Sequence, residues 1–244
     1  LERFYELFEH CNIFAKKNKK KVFFEIGTEE QSGTTNTPEE LNYTLHKIFS
    51  FCREKKFDKP LFVVIQSGTK VAETRNIGSF ESPLRIENEL PVEIQLPKMI
   101  EICTKNKIFM KEHNADYLSN HSLSLHPKLG IHATNVAPEF GVEETKALIE
   151  ILKKYRQTKF LEDFYEISYN SKKWKKWLVK DSESNKIDKA VIAGHYIFSS
   201  EKFKILKNKI DKIFNKRNLN LDNFLQNRIE KSIMRYAKNF NLVK

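Results

Sequence analysis

Four short apolar runs, each closed by a cluster of polar residues and followed by an amphipathic stretch, constrain this chain most. The runs are Val22–Ile26, Leu61–Ile65, Ile108–Glu112 and Leu129–His132. The second, LFVVI, is continuously apolar and rich in β-branched residues, which fits a strand buried on both faces. Around the runs, apolar residues recur at helical spacing in Leu1–Lys17, in 38–56, in 95–106 and from Val142 to Arg156. The stretch 38–56 has Thr37 as a cap, Pro38 at its first position and acids in its first turn. The one from Val142 carries acids at its start and bases at its end, as the helix dipole favours. Residues 115–128 read as a short helix or turn.

Strands alternating with helices imply parallel pairing and right-handed crossovers. The expected class is therefore α/β: a parallel, TIM-barrel-like (β/α) arrangement in which about four βα units are visible. Those units occupy residues 1–157. Residues 158–244 offer no strand, only amphipathic segments near 161–167, 172–179, 200–214 and 221–240, and are expected to form a helical C-terminal extension. Trp174 and Trp177, three residues apart, are expected to pack that extension onto the domain.

In parallel α/β folds the C-terminal ends of the strands share one edge, and ligands bind there. The first run ends in Thr28, Glu29, Glu30, Gln31 and Ser32, and the second in Gln66, Ser67 and Thr69. The third ends in Glu112, His113, Asn114 and Asp116, and the fourth in His132, Thr134 and Asn135. The expected site draws catalytic groups from Glu29, His113 and Asp116, and substrate-binding groups from Gln66, Ser67, Asn114 and Asn135. His113, His132 and Glu29 are suitable ligands for Zn or a similar divalent ion. Such an ion would polarise a sugar carbonyl, with a second carboxylate as base. The competing reading makes Glu29 and Asp116 helix caps and gives His113 a structural hydrogen bond. Strand alternation turns Glu112 away from the site. Asn135–Gly141 reads as a loop before the Val142 helix, where free N–H groups could hold a phosphate. Glu139, Glu143 and Glu144 would repel an anion there, so helix capping is the expected role of these acids.

Composition narrows the class further. The net charge is +11, yet Arg stands at only eight positions and the other basic residues are Lys, spread over helix faces. Arg is the residue favoured for phosphate and base recognition, so no nucleic-acid partner is expected. The three cysteines, Cys11, Cys52 and Cys103, show no metal or disulfide spacing. No run is long and apolar enough to span a membrane, and the first residues lack the layout of a secretion signal. A cytoplasmic setting is expected.

The segments FEIGTEEQSG, FVVIQSGT, KEHNADYLS and LGIHATNVAPEFGVEET, in that order, resemble the C-terminal half of the class II D-tagatose-bisphosphate aldolase non-catalytic subunit family (GatZ/KbaZ-like). The resemblance spans about Leu1 to Lys209 and is strongest at IGTE and at His113, Asp116 and Tyr117. It implies a (β/α)8-barrel relative that accompanies, stabilises and fully activates a catalytic aldolase subunit in carbohydrate metabolism. It places Glu29, Gln66, His113 and Asp116 at the mouth of the active site. Only four strands are visible where a barrel needs eight, so the chain is expected to be truncated or to complete its barrel with a second copy or the aldolase subunit. HATNVAPEF replaces a shorter glycine-containing segment of familiar members, which opens an alternative. The chain would then be a metal-dependent sugar-phosphate epimerase, isomerase or aldolase in its own right, serving surface-polysaccharide sugar synthesis.

Overall fold

The computed structural model describes residues 1–27, 37–81 and 91–244. In chain order the elements are α1 (Glu2–Lys17), β1 (Glu25–Gly27), α2 (Pro38–Lys55), β2 (Phe62–Ile65), β3 (Val71–Ala72), β4 (Arg75–Asn76) and α3 (Val92–Asn106). There follow β5 (Phe109–Glu112), α4 (Asn120–Leu129), β6 (Ala133–Thr134), α5 (Pro138–Lys154) and α6 (Thr158–Asn170). A 3-10 helix (Lys173–Trp177), α7 (Lys186–Ala193), a second 3-10 helix (Gly194–Ile197), α8 (Glu201–Asn215) and α9 (Leu221–Asn239) complete the described chain.

These elements form two compact units. The first comprises Leu1–Lys70, Gly78–Ala115 and Leu125–Asn135; the second comprises Val71–Ile77, Asp116–Ser124 and Val136–Lys244.

The first unit holds a four-stranded, fully parallel sheet in the order β1-β2-β5-β6. Its register aligns Ile26 with Val63 and Val63 with Met110. Side chains alternate along a strand, so Ile26, Val63, Ile65 and Met110 share one face, and all are buried. That face packs against Leu41, Leu45, Ile48 and Phe49 of α2 and Leu96, Met99 and Cys103 of α3. Phe8 of α1 joins the same core. The opposite face carries Glu25, Phe62, Phe109 and Lys111. Lys111 reaches across β2 to Glu25 at 2.8 Å, and Phe109 is 45% exposed. Thr37 caps α2 with the full reciprocal box, its hydroxyl accepting from Glu40 N while Glu40 accepts from Thr37 N.

The fourth strand differs from its expected position. Leu129 ends α4, and Gly130, at φ +84°, makes the left-handed residue that stops the helix. The strand therefore starts at Ala133, and His132 precedes it instead of closing it. The helix expected from Val142 begins four residues earlier, at Pro138. Gly141 is thus an internal helix residue rather than the flexible end of a loop. A Cβ added there would lie 2.5 Å from the His195 ring, so the glycine serves close packing.

The second unit is helical apart from the antiparallel β3–β4 pair. Its core gathers Leu148, Ile151 and Leu152 of α5, Phe164 of α6, Phe203, Leu206, Ile210 and Phe214 of α8, and Leu221 and Leu225 of α9. Helix α7 was not apparent in the sequence. It begins at Asn185, whose side chain caps Ile187 N and Asp188 N. Trp174 and Trp177 lie on a 3-10 turn and pack inside this unit. Trp174 donates to Tyr169 O and stacks on its ring, and Trp177 donates to the Tyr196 hydroxyl. Among the described residues no helix is long and apolar enough to cross a membrane. Cys11, Cys52 and Cys103 are free thiols; burial pushes Cys103 up to about 12, which makes it a poor nucleophile.

Candidate functional site

The C-terminal edge of the first unit's sheet sorts its polar residues by face. Ile65 and Glu112 are register partners on the core-facing side, so the next residues, Gln66 and His113, fall on the opposite side. Gln66 Oε1 lies 3.5 Å from His113 Nδ1. The Gln66 amide is oriented by its other end, since Nε2 donates to Thr69 O at 2.7 Å. With the amide oxygen turned to the ring, the Gln66–His113 contact is closed by a proton on Nδ1. Asn135 follows β6 at the matching level. Its backbone oxygen accepts from Ala115 N at 3.2 Å, and its Oδ1 is buried without a partner. Asn114 adopts φ +57°, a left-handed conformation that asparagine tolerates.

Ser67 and Glu112 belong to the other face. Glu112 is fully buried and accepts from Ser67 N at 2.8 Å and Ser67 Oγ at 2.6 Å; Thr69 Oγ1 lies 2.8 Å from it. Burial pushes its carboxyl up to about 7 against the pull of those hydrogen bonds. Its work is to tie the loop after β2 to the end of β5. Ser67, expected as a substrate-binding residue, spends both its donors on that tie.

His132 is exposed and immediately precedes β6. Its Nδ1 accepts from Met110 N at 3.3 Å and its ring packs on Phe109, centroids 4.7 Å apart. Phe109 and Met110 open β5, whereas His113 follows its last residue, so the two histidines lie toward opposite ends of that strand. Glu29 lies outside the described residues. Among the described residues no three His, Cys, Asp or Glu side chains gather as metal ligands.

Asp116 lies in the second unit and is fully buried. Its Oδ1 accepts from Ala137 N at 2.9 Å and Glu139 N at 2.8 Å. Ala137 occupies the cap position of α5 and has no side-chain oxygen. The Asp116 carboxylate takes over that role. Burial pushes its carboxyl up to about 6, and Oδ2 is buried without a hydrogen-bond partner. Asn76 Nδ2 donates to the Asp116 backbone oxygen at 2.9 Å. Tyr117 sits at φ +61°, a conformation costly for a bulky side chain. Its amide is held by Glu139.

Glu139 was expected to cap a helix; its side chain is instead the hub of a buried network. It accepts from Tyr117 N, from the Tyr236 hydroxyl and from Arg235 at 3.0 Å. Arg235 also donates to Asn120 Oδ1 at 2.8 Å and to Leu118 O. Burial, then the Glu139 charge, push the Tyr236 phenol up, keeping it protonated as a donor. Sequence reasoning did not assign Arg235 and Tyr236. The available signal was arginine itself, rare in this chain and placed twice on α9.

A cavity of about 890 Å³ in the second unit, lined by Glu73, Ile149, Tyr165, Ser182 and Asp188 among others, contains none of the expected site residues.

No protein-family model matches the chain, and no curated protein is similar to it. Solved structures are. One is a probable tagatose 6 phosphate kinase from Sinorhizobium meliloti 1021, with TM-score 0.68 and 13% identity over 91% of this chain and 64% of that one. Fructuronate-tagaturonate epimerase UxaE from Cohnella laeviribosi is similar with glycerol bound, at TM-score 0.58 and 8% identity over 91% of this chain and 46% of that one. Its native form gives TM-score 0.56 and 10% identity over 98% and 50%. This chain thus spans about half to two thirds of the length of these structures. At such identities the likeness shows the fold: parallel α/β, TIM-barrel-like, with four βα strands in one sheet.

Proposed function

We propose that this chain serves sugar-phosphate metabolism, as an accessory subunit of a class II tagatose-bisphosphate aldolase. The observation that carries the reading is the shared face of Gln66, His113 and Asn135 at the C-terminal edge of the parallel sheet, the edge where such folds bind ligands. It is supported by the likeness to structures named for tagatose 6 phosphate and for tagaturonate. In this reading the amides of Gln66 and Asn135 orient ketose hydroxyls, and the aldolase subunit supplies the bond cleavage. The test is reconstitution. Added to a class II tagatose-bisphosphate aldolase, the chain raises its turnover and co-purifies with it. Neither effect, with the chain folded, refutes the accessory role.

A second reading, an epimerase or isomerase in its own right, is favoured by the His113–Gln66 geometry. In this reading the His113 ring, set beside Gln66 at 3.5 Å, takes a proton from the carbon beside a ketose carbonyl and delivers it to the former carbonyl carbon of the enediolate, an isomerisation. A divalent ion at this edge would supply Lewis-acid chemistry, with His113 and Glu29 as ligands. The described residues alone do not form a ligand set, and His132 lies away from it. Solvent-deuterium exchange into tagatose 6-phosphate or tagaturonate reads this activity, and His113→Ala abolishes it; exchange that survives His113→Ala refutes the role.

A further inference from the structure

A groove of about 660 Å³ lies wholly within the second unit, on the flank of α5 and α9. Its charged lining is Lys146, Arg228, Lys231 and Arg235 against Glu139 and Glu143. Arg228, Lys231 and Arg235 follow one another at three- and four-residue steps and therefore share a face of α9. The four cations outnumber the two lining carboxylates even when Glu150, which also pairs with Arg228, is counted, and all three carboxylates are already occupied. Glu139 is taken by Arg235, Tyr236 and Tyr117 N. Glu143 receives Lys146 at 2.8 Å and Arg228 at a long 3.5 Å. Lys231 is exposed, and among the described residues no acid pairs with it. Tyr117, also in the lining, has a buried hydroxyl without a partner.

A solvated lysine face lacks these features. Here the arginines are half-buried, anchored by carboxylates and set around a concavity. We propose that this groove binds a dianionic phosphate group carried by a small molecule, a phosphate monoester. A rigid guanidinium presents a fork to two phosphate oxygens, and a neighbouring ammonium adds a mobile point charge. Arg228, held by Glu150 through one guanidinium nitrogen, can exchange the long contact of the other with Glu143 for the ligand, and Lys231 supplies the unpaired charge. The concave volume suits a small ligand and not the extended basic track that a polynucleotide needs. The inference stands apart from which sugar or reaction the strand edge serves.

The test is calorimetric titration of the full chain at constant ionic strength. The probes are glucose 6-phosphate, inorganic phosphate, glucuronate and a single-stranded oligonucleotide. Glucose 6-phosphate is expected to bind more tightly than inorganic phosphate, and glucuronate about tenfold more weakly, for want of the second charge. Lys231→Glu, at an exposed position where the urea midpoint is expected to match wild type, is expected to weaken glucose 6-phosphate by about tenfold or more. Arg228→Lys, which keeps the charge and loses the fork, is expected to weaken it less. Tighter binding of inorganic phosphate than of the ester overturns the monoester assignment. No heat with either phosphate, binding of the oligonucleotide alone, or unchanged affinity in Lys231→Glu overturns the site.

Discussion

Substituting Glu112 by Gln should make the chain more stable at alkaline pH and less stable at acid pH, a change of sign that follows from one proton. Thr69 Oγ1 lies 2.8 Å from Glu112 Oε1 and 2.5 Å from the His113 backbone oxygen. A hydroxyl has one proton to donate, and the backbone oxygen can only accept. The Thr69 proton therefore goes to His113 O, and the contact with Glu112 is closed by a proton on the carboxyl. The same neutral form is favoured by burial, which pushes the group from 4.5 to about 7. A carboxyl whose pKa is higher folded than unfolded gives stability fully present below the unfolded value and lost as pH rises through the folded one. The displacement from 4.5 to about 7 amounts to about 3 kcal/mol lost between acid and mildly alkaline pH. Gln does not titrate, but it cannot satisfy both the Ser67 N–H and the Thr69 hydroxyl, at a cost of about 1 kcal/mol at any pH. Urea unfolding of both proteins near pH 4.5 and pH 8.5 isolates the term, because every other titration cancels in the difference. The variant is expected to be about 1 kcal/mol less stable at the lower pH and about 2 kcal/mol more stable at the higher one. A deficit of equal size at both pH values would refute the protonated Glu112 and the hydrogen-bond assignment with it.

Other substitutions probe the second unit. Arg235→Met removes the cation from Glu139 and the donors from Asn120 and Leu118 O, and should cost about 3 kcal/mol in urea unfolding; a cost under about 1 kcal/mol would show that Glu139 is solvated. Asp116→Ala strips the surrogate cap from Ala137 N and Glu139 N and should cost about 1–2 kcal/mol, whereas Asp116→Asn retains an acceptor and should cost less. Gly141→Ala puts a methyl against the His195 ring and should lower stability by about 1–3 kcal/mol. Adding His195→Ala should recover part of that loss, and an additive double variant would deny the clash.

The two central strands of the sheet, β2 and β5, and most helices were legible because each was signalled locally, whereas β1 starts three residues after Val22 and the two-residue β3 and β4 were not read. The Leu61–Ile65 run, the box at Thr37 and Glu40, and the heptad-like apolar spacing of α8 and α9 need no tertiary information to be read. What failed was the fourth strand. It is two residues long and only half-buried, so its sequence carries little apolar signal, and the apolar residues beside it, Leu129 and Ile131, belong to the helix end and the core. Helix α7 was missed because it runs only eight residues.

The site was legible at the level of which loops matter and illegible at the level of which side chains face together. Strand alternation separates Gln66 and His113 from Ser67 and Glu112, but applying it requires the register between β2 and β5, and register is a tertiary fact. The same limit hid the role of Asp116. A carboxylate after a strand reads equally as catalyst or cap, and nothing near it in sequence announces that Ala137, twenty-one residues later, lacks a capping oxygen. The converse reading was available: an alanine at a helix start, just before Pro138, is a vacancy that some distant acceptor must fill, because buried N–H groups do not stay unpaired. Arg235 follows the same logic. A chain that uses lysine for charge has little reason to place arginine unless a fork is needed, and Arg228 and Arg235 of α9 each meet carboxylates of α5. Rare residue types and missing caps are the two places where this sequence carried long-range information, and both lead to the start of α5.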